Sequence, residues 1–181
     1  MGWGEIPRDK PLFAIPGRYN RPDVKTAVLK WLDANRGGPE LSGDQRQRIA
    51  KVVGIAALKY ADLAQNRTSD YVFSYDKMLA LNGNTATYMQ YAYARVRSIF
   101  AKGGVDVQRL RESPEKISVI EPSERALGLA ILQLGEALEL TVADYRPNLL
   151  TSYLFELAEK FSTFYQNCPV LAAETDTSRT G

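Results

Sequence analysis

The chain of 181 residues contains no histidine. That absence removes Ser-His-Asp and Cys-His nucleophilic catalysis, and every zinc site that needs imidazole. A single cysteine, Cys168, excludes an internal disulfide and a thiolate metal set, and it suits a reducing compartment. Charge of one sign is scarce too. A net charge of +2 is far below what a non-specific nucleic-acid binder carries, which leaves room only for a local positive face. No G-x-x-x-x-G-K loop is present to cradle phosphates. Asp and Glu are scattered, with no pair spaced for acid and base work. The opening MGWGEIPRDKP lacks the basic start and apolar run of a secretory signal, and no segment approaches the ~18 apolar residues of a bilayer span. The chain is therefore expected to be cytoplasmic, away from membranes, with no catalytic residue, metal site or cofactor of its own.

What is present is ordinary globular material, 45% hydrophobic and 24% charged, enough for one domain or a small domain with an appendage. Residues 1–22 read as a linker or arm. Pro22 suits a first helical position, and Val24, Ala27, Val28, Trp31 and Leu32 then form one apolar stripe that Gly37-Gly38-Pro39 should stop. Ser42-Gly43-Asp44-Gln45 is a capping-box pattern opening a second helix through Ile49, Val52, Val53, Ala56, Tyr60 and Leu63. Val105 to Glu121 is a charged connection with at most a turn of helix. Pro122-Ser123-Glu124 should open a third long helix, with Leu127, Ile131, Leu134 and Leu138 as its core stripe. Pro147 lies near the start of the last, where Leu150, Leu154, Leu157, Phe161 and Phe164 repeat at bundle spacing and read as core.

The centre of the chain is the stretch Asp70–Lys102. Tyr71-Val72-Phe73-Ser74-Tyr75 alternates like a short strand. Asn82-Gly83-Asn84 is turn chemistry, and Thr85 can cap the helix that follows. On that helix Met89, Val96 and Phe100 share one side, while Tyr88, Tyr91, Arg95 and Lys102 share another. A polar loop opening onto tyrosines and a cation can grip unpaired nucleotides, the rings stacking on bases and the cation meeting phosphate or a base edge. The same residues can equally be half-buried packing with a solvated arginine. The residues alone thus leave an RNA-gripping face and a plain helical surface both open, in a mostly helical fold with a small strand element.

Resemblance narrows the choice. The segment from Val53 to Lys102, with GNTATYMQYAYARVRSI at its heart, resembles the downstream part of arginyl-tRNA synthetase. So do ALGLAILQLGEALEL and RPNLLTSYLFELAEKFSTFYQNCPVL, in the family's order. That family is a class I aminoacyl-tRNA synthetase joining L-arginine to its tRNA with ATP. The resemblance implies a mainly α fold: a helical bundle of the class I synthetase anticodon-binding (DALR) type over 81–181, preceded by a small α/β stem-contact element over 23–80. It implies that Asn82, Gly83, Asn84 and Thr85 approach the anticodon loop and that Tyr88, Tyr91 and Arg95 receive its bases. The expected partners are tRNA(Arg) and the remaining catalytic part of the synthetase, with ATP used by that parent enzyme.

There are departures from the family pattern. A chain without histidine cannot hold the His-x-Gly-His signature, and Lys77-Met78 is not the KMSKS-type loop. Asn82 stands where the family more often has an acid. The family usually carries one more bundle helix beyond this tail. The resemblance therefore implies a piece of the synthetase that does not catalyse alone, with an apolar seam beside Leu150–Phe164 left open to self-association. A freestanding RNA-binding module or a purely structural helical partner protein are the alternatives.

Overall fold

The computed structural model describes residues 22–34, 40–70, 74–112 and 119–172, and every described element is helical. The chain divides into two compact units, residues 1–59 and 60–181, with the division falling inside one helix.

In the first unit α1 (Pro22–Ala34) and the greater part of α2 (Gly43–Ala64) pack together. The expected stripe on α1 is its core: Val24, Val28 and Leu32 are buried. Ala50, Ala57 and Leu58 are buried on α2. The helices come close at Gly54, where an added Cβ would lie 3.1 Å from Val24 Cγ1 and 3.5 Å from Val28 Cγ2. The capping box opening α2 is formed as the spacing requires. The Ser42 amide donates to Gln45 Oε1 at 2.9 Å, and the Gln45 amide donates to Ser42 Oγ at 3.3 Å. Arg46 pairs with Asp33. The Gly37-Gly38-Pro39 stop lies outside the described residues.

The second unit holds the last turn of α2, a single-turn α3 (Tyr75–Met78), α4 (Ala86–Gly103), α5 (Val107–Glu112), α6 (Pro122–Leu132), α7 (Leu134–Ala143), α8 (Pro147–Asn167) and a 3-10 turn at Val170–Ala172. The expected strand is not seen among the described residues. Its positions 71–73 lie outside them, and Tyr75 is helical because the Ser74 hydroxyl accepts the Lys77 amide and starts α3. Helix α8 is the axis of the unit: α4, α6 and α7 all pack on it. Its buried residues are the small Thr151 and Ala158, which share a face with Phe155 at helical spacing. Tyr88 of α4 meets Phe155 edge to face, with centroids 5.8 Å apart.

The third long helix departs from expectation twice. It breaks at Gln133, whose amide is shared between the Leu129 and Ala130 carbonyls at 3.2 Å each. The Tyr153 hydroxyl of α8 donates to the Ala130 carbonyl at 2.9 Å, satisfying an acceptor beside the break. The expected core stripe is also turned outward. Ile131, Leu134 and Leu138 are exposed, and so are Leu129, Leu132, Leu140 and Val142. The small side of the helix pair, marked by buried Ala130 with Ala126 and Ala137 at helical spacing, meets α8. Small residues let the backbones approach, so hydrophobicity alone misassigned the buried side. An 18-residue window within 122–143 also approaches bilayer composition more closely than the sequence reading allowed, with a mean hydropathy of 1.5. On α8, Phe161 and Phe164 are half-buried, and they line an apolar cavity of about 300 Å³ with Val96, Phe100 and Leu110.

Overpacking a close helix contact typically costs about 1–3 kcal/mol. Gly54→Leu should therefore destabilise the first unit by roughly that amount, read as a lower urea midpoint in tryptophan fluorescence. An unchanged midpoint would mean that the helices part freely at this point.

Candidate nucleic-acid interface

The loop Leu81–Thr85 is shaped by its own chemistry. Gly83 takes φ +75°, where a side chain is strained, and the Thr85 amide donates to the Gly83 carbonyl at 2.9 Å. The Thr85 hydroxyl lies 3.2 Å from the Tyr88 amide, which it accepts as helix cap, and it donates to the Ala80 carbonyl at 2.7 Å. Thr87 is buried and donates to the same carbonyl. Asn82 and Gly83 are exposed, whereas Asn84 is half-buried. Asn84 Oδ1 accepts from the Tyr60 hydroxyl at 2.6 Å, and that hydroxyl also lies 3.2 Å from the Thr151 carbonyl.

Helix α4 runs on from this loop with Arg95, Arg97 and Lys102 and no acidic residue, a local positive element in a nearly neutral chain. Its other end stops at Gly104, which takes φ +63°. The three positions singled out on α4 have different surroundings. Tyr88 is packed against Phe155 and is half-buried. Tyr91 is 52% exposed, so its ring is open to a ligand. Arg95, one helical turn and about 6 Å further along, lies over the ring of Tyr165 at 4.3 Å from its centroid. Tyr165 in turn stacks on Phe161, centroids 6.3 Å apart at 29°.

This layering of guanidinium on two rings was missed in the sequence. Tyr165 and Arg95 sit on different helices, seventy positions apart, and no local spacing links them. The one available signal was that Phe161, Phe164 and Tyr165 cluster at the end of α8. A cation held over a ring is partly fixed in place and loses less freedom on engaging a ligand. The arrangement can thus offer one open ring, one oriented guanidinium and a polar loop to an unpaired, anionic strand.

Burial pushes the Tyr60 phenol up to about 12 and raises the Tyr153 phenol in the same direction. Both are therefore neutral donors at ordinary pH. Because the folded state favours the neutral phenol, the Tyr60 contribution is complete below pH ~10, the unfolded value, and is lost as pH rises through about 12. Urea midpoints should fall across that window, and fall less in Tyr60→Phe. A flat profile would show that Tyr60 titrates normally.

Comparison with known proteins places both parts of the chain. Residues 89–180 match the DALR anticodon binding domain, and residues 27–75 match part of the catalytic domain of class I tRNA synthetases (R). The chain is 51% identical over 175 residues to the arginine–tRNA ligase of Pseudoalteromonas translucida, covering 89% of this chain and 30% of that relative. Against the arginine–tRNA ligase of Klebsiella pneumoniae strain 342 it is 47% identical, covering 78% and 24%. The crystal structure of arginyl-tRNA synthetase from Plasmodium falciparum superposes with a TM-score of 0.76 at 32% identity, over 87% of this chain and 28% of that one. The chain thus spans less than a third of the length of these relatives.

Proposed function

Since the chain belongs to the DALR anticodon-binding domain family of arginine–tRNA ligases, we propose that it binds the anticodon loop of tRNA(Arg) through the loop Asn82–Thr85 and the Tyr91/Arg95 face. The observation that carries this reading is the exposed Tyr91 beside an Arg95 held over the ring of Tyr165, on a helix without acids. An anticodon loop presents unstacked bases, which an open ring can take over at modest cost. The guanidinium supplies a planar fork for a base edge or a phosphate. Tyr88 acts from behind, holding α4 on α8 through Phe155. In the whole ligase, ATP and arginine would be handled by the remaining catalytic part, and the protein would be cytoplasmic. This chain's residues supply recognition rather than chemistry.

The test is titration of a tRNA(Arg) anticodon stem-loop and a base-changed control at two salt concentrations. Losing a stacked base costs ~1–3 kcal/mol, so Tyr91→Ala should weaken binding clearly more than Tyr91→Phe, which loses at most a hydroxyl bond of about 1 kcal/mol. Arg95→Lys should erode discrimination between the two RNAs if Arg95 reads a base edge. It should leave discrimination alone if Arg95 meets phosphate, and Arg95→Ala should then flatten the salt slope. Equal binding by wild type, Tyr91→Ala and Arg95→Ala would show that the face is ordinary surface.

A second surface bears on partners. The outward side of α6–α7 exposes Leu132 at 79% and Val142 at 66%, large apolar side chains of the kind that mark an interaction site. Gly128 and Gly135 leave open space on it. Arg125, Leu132 and Glu139 lie seven apart, on one line of the helix pair. Antiparallel pairing centred on Leu132 sets Arg125 against Glu139 of the second copy, twice by symmetry. We infer that the isolated chain self-associates here rather than at the expected α8 seam. Sedimentation should show mass rising with concentration, and Leu132→Glu should abolish the rise. A wild type that stays monomeric across the range would refute it.

A further inference from the structure

The loop that presents Asn82 and Gly83 is tied to the body of its unit by one side chain from outside it. The Tyr60 hydroxyl, on the last turn of α2, donates to Asn84 Oδ1 at 2.6 Å and lies 3.2 Å from the Thr151 carbonyl at the start of α8. One phenol thus gathers three segments, 24 and 91 positions away in sequence. The loop's other described bonds run from Thr85 to Gly83, Ala80, Thr87, Tyr88 and Met89, all within five positions, and tie it only to its own flanks. They shape the turn and join it to the first turn of α4, whereas Asn84 alone among the described loop residues bonds to another helix.

We propose that Tyr60 is a positioning residue for RNA recognition, holding Asn84 so that the Asn82-Gly83 tip keeps one conformation at the start of α4 before any ligand arrives. This inference rests on the anticodon-loop reading given above. Its physical basis is preorganisation. A loop already held in its bound form loses less freedom on binding, and the affinity it would otherwise forfeit is retained. Asn84 suits the task because its side-chain carbonyl accepts a hydrogen bond while its backbone accommodates a tight turn. Tyr60 suits it because a half-buried, neutral phenol is a donor of fixed reach across the working pH range.

The test uses the full chain with Tyr60→Phe, Asn84→Ala, the double variant and Tyr91→Ala, read by stem-loop titration and by amide hydrogen exchange. Tyr60→Phe keeps the ring, so the packing of α2 stays. It should weaken stem-loop binding about three- to tenfold. Asn84→Ala should weaken it no more than that, and the double variant should be no weaker than Tyr60→Phe, since both single changes remove the Tyr60–Asn84 bond. The salt slope should stay at its wild-type value, because no cation is removed. Amides of 82–85 should exchange faster in Tyr60→Phe while those in the middle of α4 and α8 do not, which a general loss of stability would not produce. If Tyr91→Ala weakens binding while Tyr60→Phe binds like wild type, the positioning role is overturned and the anticodon reading stands. Losses that add in the double variant, or unchanged exchange at 82–85, also overturn it. If the wild type does not bind the stem-loop, both fall together.

Discussion

The packing of α4 on α8 is the constraint on which the second unit depends. Thr151 and Ala158 are the buried positions of α8, and Ala86 and Thr87 are the buried positions of α4. All four are small, so the two helices can lie close with aromatic contacts spanning them. Tyr88 on Phe155 fixes one point and Arg95 on Tyr165 another. Seven residues, two helical turns, separate Tyr88 from Arg95, so the two contacts fix both the spacing and the rotation of α4. That rotation leaves Tyr91 facing solvent between them. The exposure of one tyrosine and the orientation of one guanidinium are therefore consequences of a single helix contact.

The opposite side of α8 follows the same rule with another result. Small residues of α6–α7 meet it, and the Tyr153 hydroxyl takes up the Ala130 carbonyl beside the break at Gln133. Close approach through alanines leaves Ile131, Leu132, Leu134, Leu138, Leu140 and Val142 of α6–α7 exposed. The helix pair is thus held by one side and open on the other, which separates the surface on α4 proposed to meet RNA from the surface on α6–α7 proposed to meet a second copy. In a chain spanning less than a third of its relatives, surfaces of both kinds are what a recognition module joined to a larger enzyme would carry.

Local features were legible in the sequence because their causes are local. Ser42 and Gln45, Thr85 before α4, and Gly104 after it each act on amides or carbonyls within four residues. Stripe membership was legible on α1, where Val24, Val28 and Leu32 are the only large apolar row. It failed on α6–α7, because apolar residues surround that helix and periodicity cannot say which row meets a neighbour. Tyr75 was misread for a related reason. β-formers favour extension on average, whereas one serine hydroxyl just before Tyr75 is enough to start a helical turn. Of the candidate site, the loop, Tyr91 and Arg95 were legible. The partnership with Tyr165 and the anchoring of Asn84 by Tyr60 are long-range contacts that no spacing encodes.

Backbone amide shifts of the isotopically labelled chain, followed while a tRNA(Arg) anticodon stem-loop is added, test the central claim most directly. The interface described above predicts that perturbations gather at 82–85, Tyr91, Arg95 and Tyr165, and that the outward residues of α6–α7 stay unmoved. Perturbations centred on α6–α7, or none on α4 at saturating RNA, would contradict it.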